Sequence, residues 1–182
     1  MEPVAARGRN LVLSGYIGPQ QTPIGRRVAE ALGRPYIDID TRVEERNDLT
    51  SDEIRTRFGE ARLKTLEEEV MEEALLQREA VIRVSGYRLA QGDWLQRFRE
   101  TGLVICLVAS IDAVLHSLHQ ALGARYHDPD ERALVLGQLQ REWGLRGRAG
   151  TIELDTSDLQ FNAVVARVLR LRQQALARGE QA

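Results

Sequence analysis

The residues best equipped for chemistry are the octet Gly15-Tyr16-Ile17-Gly18-Pro19-Gln20-Gln21-Thr22 and two carboxylates that follow it, Asp38 and Asp40. A phosphate-cradling loop carries glycines at the first and sixth places of such an octet, then lysine and a hydroxyl residue, between a strand and a helix. Gly15 and Thr22 hold two of those places, whereas Gln20 stands where the second glycine belongs and Gln21 where the lysine belongs. The chemistry served by such a loop is phosphoryl transfer, in which N–H groups and cations neutralise phosphate, a hydroxyl holds Mg²⁺ and a carboxylate orients the nucleophile. Half of that set is present.

The elements that must position these groups follow from apolar spacing. Residues 11–14 read as a buried strand before the octet, and 24–32 as a helix after it with Val28, Ala29 and Leu32 on one face. Pro23 suits the first helical turn and Gly33 stops the helix. Residues 35–40 read as a second strand ending on the carboxylates. Thr50-Ser51-Asp52-Glu53 has the spacing of a capping box, and 60–78 keep a helical stripe of Leu63, Leu66, Val70, Ala74 and Leu75. A third strand over 80–84 turns at Ser85-Gly86-Tyr87-Arg88, and a short helix over 93–98 leads to a very apolar strand over 103–108. Then come a helix over 111–122, a polar loop over 123–131 that holds Arg125, a helix through Leu134, Leu139 and Trp143, a strand over 151–155 and a closing helix over 161–177. Strands separated by helices imply parallel crossovers and a sheet covered on both faces.

Composition narrows the class. A chain of 182 residues with net charge -2 fits one α/β domain and offers nucleic acid no electrostatic footing. One domain over 1–182 is expected, with a core over about 10–157 and the closing helix over about 158–178. The single cysteine, Cys106, lies in an apolar run and reads as a buried structural thiol. No apolar run approaches the ~20 residues of a membrane span, and the first residues lack an apolar signal core. A soluble cytoplasmic protein, monomeric or weakly homo-oligomeric, is the expectation. His116 and His119 could share a helix face, but no cysteine or carboxylate completes a metal set, and both read as surface residues. Trp94 and Trp143 read as partly buried anchors; Arg167, Arg170, Arg172 and Arg178 read as a solvated basic face, with an oligomer contact as the alternative.

Taken together, 11–18, Ile24-Gly25, Ala31-Leu32-Gly33-Arg34-Pro35-Tyr36-Ile37-Asp38-Ile39-Asp40, Phe58-Gly59-Glu60-Ala61 and Asp155-Thr156-Ser157 resemble shikimate kinase in order and spacing. The resemblance implies a three-layer α/β/α P-loop kinase fold with a five-stranded parallel sheet, and ATP with Mg²⁺ as cofactors of an active member. It gives the nucleotide to Gly15, Gly18, Gln20, Gln21 and Thr22, the metal to Thr22 and Asp38, and the base to Asp40, with Arg125 as a catalytic lid arginine. Substrate binding falls to Asp40, Lys64, Gly86 and Tyr87.

The departures are orderly. Gln21 replaces the lysine and Gln20 a loop glycine; Pro19 and Pro23 remove N–H donors; Tyr87 stands in a glycine triplet. Lys64 replaces a substrate-clamping arginine and Glu142 reverses the charge of a second one, with Arg141 beside it. The family's Arg-Pro pair in the lid reads Arg125-Tyr126. Three readings follow. The first is a catalytically impaired homologue that binds a small molecule, such as a shikimate-like acid, or regulates, using no cofactor. The second is a diverged ATP-dependent kinase of a small hydroxylated acid, and the third a structural partner-binding protein with a vestigial pocket.

Overall fold

The computed structural model describes residues 9–15, 21–123 and 129–179. Its five strands are β1 (Asn10–Gly15), β2 (Tyr36–Asp38), β3 (Val81–Arg83), β4 (Gly102–Val108) and β5 (Ile152–Asp155), joined in one sheet of order β2-β3-β1-β4-β5 with every pairing parallel. The helices are α1 (Gln21–Leu32), α2 (Ile39–Asn47), α3 (Ser51–Phe58), α4 (Glu60–Leu75), α5 (Gly86–Leu89), α6 (Trp94–Thr101), α7 (Ile111–Leu122), α8 (Pro129–Glu142) and α9 (Phe161–Gly179).

Alternation along the strands makes two cores. Val12, Ile82, Val104 and Cys106 pack beneath α2, α3, α4 and α6 through Val43, Ile54, Met71 and Phe98. Leu11, Leu13, Val81, Ile105 and Leu107 pack beneath α1, α7 and α9 through Val28, Val114 and Val168. Both faces are thus dry, which is why the strands read as continuous apolar runs and the fold has three layers. Burial pushes the Cys106 thiol up to about 12, as a structural cysteine requires. Among the described residues no helix is long and apolar enough to cross a membrane.

Gly15 closes β1 with φ +87, and a Cβ there would lie 2.1 Å from the Leu107 carbonyl oxygen. The first glycine of the octet is therefore demanded by the approach of β4, whatever the octet binds.

Four sequence expectations need correction. The second strand stops at Asp38 rather than residue 40, because the Asp38 carboxylate accepts from Thr41 N and caps α2, which buries Ile39 and Val43. Residues 85–88, expected as a turn, are largely the short helix α5. Helix α8 starts at Pro129, inside the expected loop over 123–131, with proline in the first turn where a missing N–H costs little. Arg172 is buried, so the closing helix does not present an uninterrupted solvated basic face. The capping box at Thr50 and Glu53 forms in both directions, and Trp94 and Trp143 pack against the cores as partly buried anchors.

Candidate functional site

In open parallel sheets ligands gather beyond the carboxyl ends of the strands. At the ends of β2 and β3, with α4, α5 and α8 around it, lies a cleft of about 500 Å³ whose lining includes Asp40, Glu60, Glu67, Arg83, Arg88 and Glu142. Three charge clusters build it.

The first joins adjacent strands. Arg83 ends β3 directly in register with Asp38 at the end of β2, so both side chains leave the sheet on one face. Its Nη1 donates to Asp38 Oδ1 at 3.1 Å and to Asp40 Oδ2 at 2.8 Å. Asp38 is buried and the Arg83 side chain is 13% exposed, whereas the Asp40 side chain keeps 39% of its surface accessible. Burial works against the Arg83 charge, but Asp40 and Asp38 outweigh it and hold the guanidinium above its ordinary range. Asp38 also accepts from Tyr36 Oη at 3.3 Å.

The second cluster has the opposite sign. Glu142 ends α8, and its buried carboxylate accepts from Ser85 Oγ and from Gly86 N, each at 2.6 Å. Burial raises the Glu142 carboxyl above the usual range, against the pull of those two hydrogen bonds. A Cβ on Gly86 would fall 2.0 Å from the Glu142 carbonyl oxygen, so this glycine, like Gly15, is fixed by packing.

The third cluster is Arg88 of α5, which donates to Glu60 at 3.3 Å and contacts Glu67 of α4. Burial pushes Glu67 up to about 7 although the Arg88 charge opposes it. The guanidinium also lies 5.2 Å from the Tyr87 ring centroid.

Asp40, Tyr87 and the Gly86 amide are thus brought together, with Asp38 behind Arg83. Gln21 and Thr22 open α1. Gly18, Gln20 and Arg125 lie outside the described residues. Lys64 is not brought in: its side chain is half exposed, pairs with Glu68 at 3.7 Å and does not line the cleft. Sequence reasoning missed Arg83, Arg88 and Glu67. Arg83 had a readable signal, being the only charge in the apolar run 80–84. A second cleft of about 520 Å³, lined by Arg26, Tyr36, Asp38 and Arg42 among others, opens at the β2 edge and shares Asp38 and its partner Tyr36 with the first cluster.

At the Asp38 end of the pair to which the resemblance gives a divalent ion, the residues present do not fit it: Oδ1 of Asp38 accepts from Arg83 and Oδ2 from Tyr36, and Arg83 also holds Asp40 Oδ2. Among the described residues no group of three or more histidine, cysteine or carboxylate side chains could hold a metal.

A family model described as shikimate kinase matches residues 20–172. A shikimate kinase of Thermodesulfovibrio yellowstonii is 28% identical over 165 residues, covering 89% of this chain and 94% of its own. One from Symbiobacterium thermophilum is 29% identical over 175 residues, covering 93% and 99%. Among solved structures, a shikimate kinase of Acinetobacter baumannii in complex with shikimate superposes with a TM-score of 0.75 at 22% identity, covering 92% of this chain and 94% of its own. One from Bacteroides thetaiotaomicron gives 0.74 at 24% identity, covering 92% and 98%.

Proposed function

This chain belongs to the shikimate kinase family, and we propose that within it the chain is a small-molecule-binding or regulatory module with impaired phosphoryl transfer. One observation carries the reading: Glu142, at the place of the family's second substrate arginine, seats its carboxylate on Ser85 Oγ and Gly86 N at 2.6 Å. The carboxylate of an acid ligand would meet an anion there instead of a cation. Two unit charges 4 Å apart interact by about 4 kcal/mol at an effective dielectric of 20, and the sign is now repulsive.

The nucleotide side supports the same reading through Gln20 and Gln21. Losing one preorganised charge-stabilising donor raises a barrier by about 2.7 to 4 kcal/mol, so two such losses leave little turnover. The ligand of this module is a small hydroxylated molecule in the cleft beside Asp40. Shikimate, which the Acinetobacter baumannii protein holds, is the natural first probe, and its binding is expected to be weak because Glu142 opposes its carboxylate.

A second reading rests on Asp40, whose half-open carboxylate faces the cleft where a ligand hydroxyl would lie. It favours a diverged kinase of a small hydroxylated acid, using ATP and Mg²⁺. Thermal melting with MgATP, with shikimate and with both separates the readings, because a ligand at 100 times its Kd adds about 2.7 kcal/mol. A midpoint raised by shikimate alone supports the module. A rise with MgATP together with phosphorylated product supports the kinase and defeats the module, and silence toward every probe returns the chain to a structural role.

A further inference from the structure

We propose that Arg83 is a resident substitute for a divalent cation: its guanidinium is the permanent counter-ion shared by Asp38 and Asp40, so the pair is held without metal. The placement is structural, not a surface accident. Arg83 is the last residue of a strand whose other members are fully buried, and it leaves the sheet on the face covered by α1, the helix into which the octet leads. An arginine there must lose most of its hydration, which is costly unless carboxylates surround it. Asp38 and Asp40 meet that demand through a single nitrogen, at 3.1 and 2.8 Å.

The same geometry excludes the ion. A divalent cation such as Mg²⁺ needs close, direct oxygen ligands in octahedral array or waters held by them. Oδ1 of Asp38 accepts from Arg83 and from Thr41 N, and Oδ2 accepts from Tyr36 Oη. Asp40 directs Oδ2 at the same guanidinium. A metal bridging Asp38 and Asp40 would have to expel Arg83 from a site where its side chain is 13% exposed. One carboxylate charge of the pair remains uncancelled, since a guanidinium supplies one positive charge where Mg²⁺ supplies two. That residual negative charge leaves Asp40 able to accept from a ligand hydroxyl.

The inference rests on the family reading but not on whether phosphoryl transfer is lost, and its test involves no turnover. The probe is Mn²⁺ alone, read by the loss of the free-ion electron paramagnetic resonance signal, alongside thermal melting. The subjects are the native chain, Arg83→Met and Arg83→Gln; the glutamine variant keeps a polar side chain should the methionine variant not fold. The native chain is expected to leave the Mn²⁺ signal and its own midpoint unchanged. Either folded variant is expected to bind Mn²⁺ about tenfold or more tightly than the native chain, with a midpoint that rises with the ion. Adding Asp38→Asn to the variant should abolish the gain. Mn²⁺ binding or a metal-dependent midpoint in the native chain overturns the proposal, as does a folded variant that stays as indifferent to Mn²⁺ as the native protein.

Discussion

At Asp38 and Asp40 two carboxylates share the guanidinium of Arg83, whereas just beyond the same strand end Ser85 Oγ and Gly86 N share the carboxylate of Glu142. The two clusters have ions of opposite sign at their centres and different construction. The first is set by strand register within the sheet, so it forms as β2 and β3 pair. The second links residues 56 and 57 positions apart and ties the end of α8 to the start of α5. What the pair teaches is that the cleft engages its own charged groups. Groups that the family resemblance assigns to metal and substrate are here engaged by side chains of the chain itself.

Breaking the first cluster should have the largest effect. Arg83→Met leaves two carboxylates facing each other without a cation, and loss of one partner of a buried pair costs about 3 to 5 kcal/mol. Urea unfolding measures it, and a loss below about 1 kcal/mol would mean that the register-built pair is not holding the strand ends.

A pH series sharpens the contrast, because it reads the buried carboxyls on the substrate side. Burial pushes Glu67 up to about 7 in the fold against an ordinary carboxyl near 4.5, and burial raises Glu142 too. At these two sites the folded chain keeps protons that the unfolded one releases, so their contribution to stability falls as pH rises from about 4.5 to about 7, by up to roughly 3 kcal/mol for Glu67. Glu67→Gln should remove most of that contribution, read as the difference between native and variant unfolding curves across the window, and a difference that does not change with pH would contradict the assignment.

Breaking the second cluster costs less. Glu142→Ala orphans the buried Gly86 N–H and the Ser85 hydroxyl, a loss of about 1 to 3 kcal/mol, while Glu142→Gln keeps an acceptor and should lose less. The same variants should strengthen binding of an acid probe by calorimetry, since the opposing carboxylate is gone. The smallest effect belongs to Lys64→Ala. Its exposed i,i+4 pair with Glu68 is worth under about 0.5 kcal/mol, and ligand binding should not change.

The sheet was legible in the sequence because both of its faces are dry, which turns strands such as β4 into unbroken apolar runs. The helix α2 was not legible. Tyr36-Ile37-Asp38-Ile39-Asp40 alternates like a strand, and only the capping of Thr41 N by Asp38 shows that the last two residues have turned. The short α5 gave too few residues for any period to register. In the site, spacing identified Asp38, Asp40 and Gly86, and the reversed charge at Glu142 was visible as a departure. What spacing could not give was side-chain direction. Lys64 matches a substrate position yet points to Glu68, and Arg88, which matches none, reaches into the cleft. The glycines divide along the same line: Gly15 and Gly86 are held by backbone contacts at Leu107 and Glu142, so they persist independently of any ligand.

The central claim, that the cleft's own charges have replaced those of a working phosphotransferase, is tested most directly by a coupled assay for ADP release with MgATP and shikimate at millimolar concentration. The account predicts no release above the rate without protein and no phosphorylated product. Shikimate-dependent ADP release, abolished by Asp40→Asn, would contradict it.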